Sequence, residues 1–240
     1  MRVDVLTIFP DFFKDTLEVG IIRSAIEKRQ LKVNVHDLRD FARGRVVDDY
    51  PYGGGSGMVM MARPILKAAK AVRKKKTRYL MLTAAGKRLN QKRLEELSRL
   101  EHIVLICGRY KGIDYRVIRE LKPSLVSIGD YVISGGESAA LVLIDGLARL
   151  LPGVLGDPRS AETDSFACGI LDTPYYTRPR TVNGMRVPMV LVSGNHQAIN
   201  LWRFKESLRL TMMRRPDLLK ERLFNKEELK LLLEVNDESS

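Results

Sequence analysis

The stretch from His102 to Gly136, HIVLICGRYKGIDYRVIRELKPSLVSIGDYVISGG, constrains the fold more than any other part of the chain. It holds two short apolar runs, His102–Cys107 and Ser124–Ile128, rich in β-branched residues and bounded by turn formers, which is the pattern of buried strands. Each run leads straight into a glycine-bearing loop: Gly108-Arg-Tyr-Lys-Gly112 after the first, Gly129-Asp-Tyr-Val-Ile-Ser-Gly-Gly136 after the second. In α/β sheets ligands bind beyond the carboxyl ends of strands, where such loops meet. Glycine there allows φ > 0 and a close approach of main chain to a ligand. The two loops are therefore expected to frame a small-molecule site. On spacing alone the same glycines serve equally well as ordinary turn residues.

The flanking sequence supplies the rest of an α/β domain. Arg2–Phe9 alternates as a first strand, Val33–Leu38 reads as a second and Tyr79–Thr83 as a third. Phe12–Arg29, with Phe13, Leu17, Ile21, Ile22, Ala25 and Ile26 on one face, reads as a helix, as do Ala62–Lys74 and Gln91–Leu100. Glu137–Leu151 is the strongest helix, with Ala140, Leu141, Ile144, Leu147 and Leu151 on its apolar face and Pro152-Gly153 as its stop. Strand–helix alternation through residue 150 implies parallel strands. Gly53-Gly-Gly-Ser-Gly57 fits neither a dinucleotide fingerprint nor a P-loop; it suits a loop that orders around substrate or a plain linker. From Pro152 to Arg180 the chain turns rich in Pro, Gly, Ser and Thr and loses periodicity, as an interdomain linker does. So long an irregular stretch is also a candidate functional loop. Beyond it lie a short apolar segment, Val187–Val192, a basic helix, Asn195–Arg215, stopped by Pro216, and a last helix, Lys226–Val235, with Asp237–Ser240 frayed.

At 240 residues the chain suits one large domain or two modest ones. No apolar run reaches the roughly 18 residues of a membrane span, and MRVDVLTIFPDFF lacks a signal-peptide layout, so the expected location is cytoplasmic with no membrane partner. The two cysteines and three histidines form no zinc-spaced cluster, and no metal ligand is assigned. Cys107 reads as a small buried residue. A net charge of +12 favours an anionic partner, most commonly nucleic acid. Arg178, Arg180, Arg203, Lys205, Arg209, Arg214 and Arg215 are candidates for phosphate contacts, which give affinity and salt dependence rather than base specificity. His196, at a helix start, reads as a capping or packing residue.

Six stretches in order, YGGGSGMVM (52–60), LICGRYKGID (105–114), SIGDYVISGGE (127–137), RLLPGVLG (149–156), DSFACGILDTPYYTRP (164–179) and VPMVLVSGNH (187–196), resemble the bacterial tRNA (guanine-37-N1)-methyltransferases, the TrmD family of the SPOUT class. The resemblance runs from Met1 to about Pro216. It implies an α/β SPOUT methyltransferase domain over 1–156 with a deep C-terminal trefoil knot, an exception to the usual rules of chain topology. It implies an interdomain linker over 157–179 and a small, mainly helical tRNA-binding domain over 180–240. It also implies a homodimer with the active site shared between subunits, S-adenosylmethionine as cofactor, and tRNA bearing guanosine 37, usually beside guanosine 36, as substrate. Family matches put Thr83, Gly86, Gly108, Ile128, Gly129, Asp130, Tyr131, Val132, Ile133, Gly135 and Gly136 around the cofactor. Asp164 matches the catalytic aspartate, a general base for the guanine N1 proton, and Arg149 the arginine that offsets charge growing on guanine O6. Read without the resemblance, Asp164 is a loop acid or helix cap, Arg149 a cation near a helix C-terminus, and Ile128 and Ile133 are core.

The chain departs from the family at four places. Thr83-Ala84-Ala85-Gly86 stands where Pro-Gln-Gly is common, Lys111 and Tyr115 where Glu is, and Tyr175 where His is frequent. The family's glutamate at position 111 is associated with cofactor or Mg²⁺ contacts, so Lys111 leaves a magnesium requirement open. Two other classes compete. A ribose 2′-O-methyltransferase of the same fold would not need the base Asp164; a non-catalytic RNA-binding module would bind tRNA without cofactor. The missing P-loop disfavours a nucleotide phosphotransferase.

Overall fold

The first unit is built on strands β1 (Arg2–Thr7), β2 (Lys32–Asp37), the two-residue β3 (Asp48–Asp49) and β4 (Val59–Met60), then β5 (Thr77–Arg88), β6 (His102–Cys107) and β7 (Ser124–Ser127), with helices α1 (Gly20–Glu27), α2 (Ala62–Val72), α3 (Gln91–Ser98), α4 (Tyr115–Leu121) and α5 (Glu137–Leu150). The computed structural model describes residues 1–157 and 163–239. They divide into two units, Met1–Pro158 and Arg159–Ser240.

Five strands form one parallel sheet in the order β2-β1-β6-β5-β7. The continuous apolar run of β6 is explained by its place: it is central, and all six of its residues are buried. Its side chains alternate between two cores. Ile103, Leu105 and Cys107 join Val3, Val5, Leu80 and the α5 residues Leu143, Ile144 and Leu147 on one face. Val104 and Ile106 join Leu6, Ile65, Val72 and Val117 on the other. Each such fully buried aliphatic side chain contributes about 1.5–3 kcal/mol relative to exposure.

Several boundaries differ from the sequence-based expectation. Phe12–Arg29 is not one helix: Pro10–Phe13 and Thr16–Glu18 are 3₁₀ turns, and α1 begins only at Gly20. The Thr16 hydroxyl donates to the Phe12 and Phe13 carbonyls (3.3 and 3.1 Å), Val19 is extended, and Gly20 takes φ +59. The third strand runs on to Arg88, because Leu82 and Lys87 both face Val126 and residues 83–86 bulge between them. Helix α4 was not anticipated; Asp114 caps it by accepting from Arg116 N–H at 2.9 Å.

In the second unit, β8 (Thr181–Val182) and β9 (Met185–Arg186) form a hairpin around Asn183-Gly184. Met189–Val192 is a 3₁₀ turn, followed by α6 (His196–Arg214), α7 (Pro216–Glu221) and α8 (Lys226–Ser239). The cap of α6 is Asn195, which accepts from Ala198 N–H at 3.1 Å, so the capping role read for His196 falls to its neighbour. Pro216 occupies the first turn of α7 rather than merely ending α6. Helix α8 continues through Ser239, where fraying was expected. Of the segment read as a linker, 158–162 lie outside the described residues. Its later part packs within this unit: Ile170 and Thr173 are buried, and Leu171 N–H donates to Thr211 Oγ1 at 2.9 Å. Among the described residues no helix is long and apolar enough to cross a membrane.

Candidate active site

Strands β5, β6 and β7 end side by side, and the loops that leave them wall a cleft. The bulge of β5 supplies Thr83 and Ala84, the loop after β6 supplies Gly108–Gly112, and the loop after β7 supplies Ile128, Gly129 and 131–136. Nine of the eleven residues expected around a cofactor line it: Thr83, Gly108, Ile128, Gly129, Tyr131, Val132, Ile133, Gly135 and Gly136. Gly86 and Asp130 do not. A Cβ on Gly86 would stand 2.3 Å from Val126 N, so this glycine lets the β5 bulge lie directly on β7. Asp130 points away, into an exposed ion pair with Arg88.

The two glycine loops are knitted together. Gly136 N–H donates to the Gly108 carbonyl at 2.9 Å, and Arg109 pairs with Gly135 in an antiparallel bridge. Side chains are excluded at the seam: a Cβ would fall 2.1 Å from Arg109 Nε at Gly135 and 2.8 Å from Cys107 Cα at Gly136. The glycine-rich segment before α2 is tied to the same rim through Lys111 N–H to Met58 O (3.0 Å) and Met60 N–H to Gly112 O (2.9 Å). Cys107, behind the loops, is fully buried; burial first and the charge of Glu137 second push its thiol well above the ordinary value, so it stays neutral. The cleft thus offers main-chain donors and acceptors at loop tips beside the apolar Ile128, Val132 and Ile133, which suits a flat heteroaromatic ligand with a polar edge. Among the described residues no group of three or more His, Cys, Asp or Glu is placed to hold a metal ion.

Arg149 stands exposed in the last turn of α5. Asp164 belongs to the second unit; it is half-buried in a turn closed by Ala167 N–H on its carbonyl at 3.1 Å. Nearby, Tyr175 Oη donates to Asp172 Oδ2 at 2.8 Å. That hydrogen bond chiefly raises the phenol pKa, burial adds to it, and Asp164 pushes the same way. Of the seven basic candidates, Arg178, Arg180 and Arg203 line a second cavity with Tyr175, Tyr176 and His196, inside the second unit. Arg214 is exposed at the end of α6. The other three face carboxylates: Lys205 meets Glu234 at 2.7 Å, Arg209 meets Glu206 and Glu238, and Arg215 meets Asp217 at 2.7 Å.

The family model described as tRNA (Guanine-1)-methyltransferase TrmD matches residues 1–221. The chain belongs to this family. A relative from Dictyoglomus turgidum is 48% identical over 240 residues, covering 99% of this chain and 98% of its own length. One from Listeria monocytogenes is 51% identical over 226 residues, 92% of each chain. One from Carboxydothermus hydrogenoformans is 50% identical over 235 residues, 97% of this chain and 92% of its own. All three carry the name tRNA (guanine-N(1)-)-methyltransferase.

For this TrmD-family chain, sequence reasoning passed over Arg109 and Ser134 in the cleft wall and Glu137 behind it, while Lys111, noted as a departure from the family, also lines the cleft. The first two sat inside motifs already noted for their glycines. Glu137 reads as an acid in a helix's first turn, favourable to the dipole, and that ordinary role hides its buried partners.

Proposed function

We propose that the protein transfers the methyl group of S-adenosylmethionine to N1 of guanosine 37 in tRNA, beside the anticodon, usually where guanosine 36 precedes it. Membership of the TrmD family across residues 1–221 carries this reading, and the glycine-framed cleft supports it. The residues fit the cofactor. Gly135 and Gly136 let the loop after β7 close against Arg109 and Cys107 and so shape the cleft wall, and loop main chain beside Ile128, Val132 and Ile133 matches an adenine ring and its edge. Bound there, the sulfonium would supply an electrophilic methyl group.

The chain's own residues do the rest. Gly108, Gly129 and Tyr131 hold the nucleoside part through the loops, while Gly86 and Asp130 brace the site from outside its lining. Asp164 takes the guanine N1 proton. Arg149 sets positive charge beside guanine O6 as the ring becomes electron-rich. With nucleophile and methyl donor aligned, positioning supplies most of the remaining acceleration. A guanine deprotonated at N1 is already a nucleophile, so no metal is needed to form one, and the part magnesium plays is left open by Lys111. The loops form part of a trefoil knot, and the protein works as a homodimer in which Asp164 of one subunit serves the cleft of the other. The helical unit holds the anticodon arm, with Arg178, Arg180, Arg203 and Arg214 on its phosphates. The site of action is the cytoplasm, with tRNA.

The test is transfer of labelled methyl to a tRNA transcript carrying guanosines 36 and 37, beside the same transcript with adenosine at 37. Label on the first alone is the expected result. Label on both would redirect the reading to a ribose or another base. Binding of tRNA without any label would favour the non-catalytic module.

A further inference from the structure

We infer that Glu137 is a positioning residue for the cofactor: from inside the fold it fastens Arg109 as a latch across the two glycine loops. The inference rests on the reading of the cleft as an S-adenosylmethionine site.

Glu137 opens α5 and is fully buried. A buried carboxylate is costly unless it is paired and hydrogen-bonded. Both oxygens are taken: Oε1 accepts from Thr7 Oγ1 at 2.7 Å, and Oε2 accepts from Arg109 Nε at 2.9 Å. Thr7 in turn accepts from Phe9 N–H at 2.9 Å, which ties in the end of β1. Arg109 reaches onward. Its Nη1 donates to Ser134 O and Oγ at 3.3 and 3.2 Å, and its guanidinium lies 4.6 Å from the centre of the Phe9 ring.

The latch therefore joins three chain segments far apart in sequence: the end of β1, the loop after β6 and the loop after β7. Charge-assisted hydrogen bonds are strong and directional. The two loops cannot part at Gly108 and Gly135 without breaking a charged pair over a buried carboxylate. Gly135 is glycine because Arg109 occupies the space its Cβ would take. The cluster carries neither Asp164 nor Arg149. Its effect falls on the shape of the cofactor walls and not on the proton or methyl steps.

The experiment compares wild type with Glu137→Gln and Arg109→Lys, full chain, by calorimetric titration with S-adenosylmethionine and with tRNA, and by steady-state methyl transfer. Glu137→Gln keeps the shape and removes the charge. Arg109→Lys keeps the charge and removes the planar fork, and as a partly exposed position it carries the test if the buried variant does not fold. Both variants are expected to weaken cofactor binding and raise its KM about ten-fold, with tRNA affinity unchanged and kcat at saturating cofactor retained. The double variant Glu137→Gln/Arg109→Lys should lose less than the sum of its single changes, because the two groups act as one unit. Undiminished cofactor affinity in the folded variants, whatever their melting temperature, overturns the latch and leaves a structural role only. A fall in kcat with unchanged cofactor affinity also overturns it. Wild-type protein that binds no S-adenosylmethionine overturns the reading of the cleft itself, a different and earlier failure.

Discussion

Asp4 lies fully buried on β1, on the sheet face it shares with Leu6. Its carboxylate accepts from Arg2 Nε at 2.6 Å, Asn34 Nδ2 at 3.1 Å, and His36 and His102 Nε2 at 2.7 Å each. Burial alone would raise its pKa; the hydrogen bonds from Arg2, His36 and His102 outweigh burial and hold it far below the usual carboxylate range. A carboxyl depressed in the folded state stabilises the fold above its unfolded pKa of about 4, and that contribution drains away as pH falls below it. Urea unfolding of the wild type should therefore weaken steeply below about pH 4, and the Asp4→Asn variant less so. At pH 7 that variant should be about 3 kcal/mol less stable, because it leaves Arg2 and two histidines facing an uncharged partner. Equal pH slopes in the two proteins would move the acid sensitivity to another group. The chemistry is tested at the same scale. Asp164→Asn should lower single-turnover methyl transfer by about 10²–10⁴, and Arg149→Ala by about 10²–10³. Both variants should still bind cofactor and tRNA.

At the scale of elements, β5 and β7 depend on Gly86. Gly86→Ala would set a methyl group 2.3 Å from Val126 N, and main chain cannot step aside as a flexible side chain can. The variant should lose about 1–3 kcal/mol in thermal unfolding, with weakened cofactor binding because Thr83 and Ala84 ride on the same bulge. Alanine at Gly156, where among the described residues no atom beyond its chain neighbours stands within 4 Å of the added Cβ, is the control and should melt as the wild type does. That bulge was hard to read in sequence, since Thr83-Ala84-Ala85-Gly86 carries no alternation to mark a strand. Strand β6 and helix α5 were easy, the one apolar on both faces and the other strongly periodic. The two glycine loops were visible too, because each directly follows a buried strand. Phe12–Arg29 misled for a definite reason: 3₁₀ turns keep an i, i+3 spacing close to that of an α-helix. The Asn183-Gly184 hairpin had its usual turn signature but lay in the unassigned gap between the irregular stretch ending at Arg180 and the apolar segment from Val187. The Glu137–Arg109 pair and the contacts of His102 with Asp4 join residues 28 and 98 positions apart, and no local pattern announces such partners.

For the whole molecule, a charge of +12 meeting a polyanion makes tRNA affinity fall steeply with salt. The ion pairs sort which cations take part. Arg178→Ala and Arg203→Ala should each lower the slope of log affinity against log salt by about one. Lys205→Ala should change it less, because Glu234 already neutralises that ammonium and holds its proton more tightly.

A site shared between subunits, as proposed, makes a sharper demand on the assembly. If Asp164 of one subunit serves the cleft of its partner, two inactive variants can repair each other. Asp164→Asn keeps an intact cleft. Ile133→Glu keeps an intact Asp164 but sets a charge in the cofactor wall, at a position exposed enough for the fold to tolerate it. Each homodimer is dead. In a mixed dimer the cleft of the first subunit meets the aspartate of the second, and one site of two is whole. Random reassortment of equal amounts makes half of the dimers mixed, so about a quarter of wild-type methyl transfer should return. An aspartate acting within its own subunit has a different consequence: every cleft in the mixture lacks either its base or its cofactor, and activity stays at the level of the separate variants. Co-expression with two affinity tags, followed by methyl transfer on the doubly tagged fraction, in which every dimer is mixed and about half of wild-type transfer is expected, separates these outcomes.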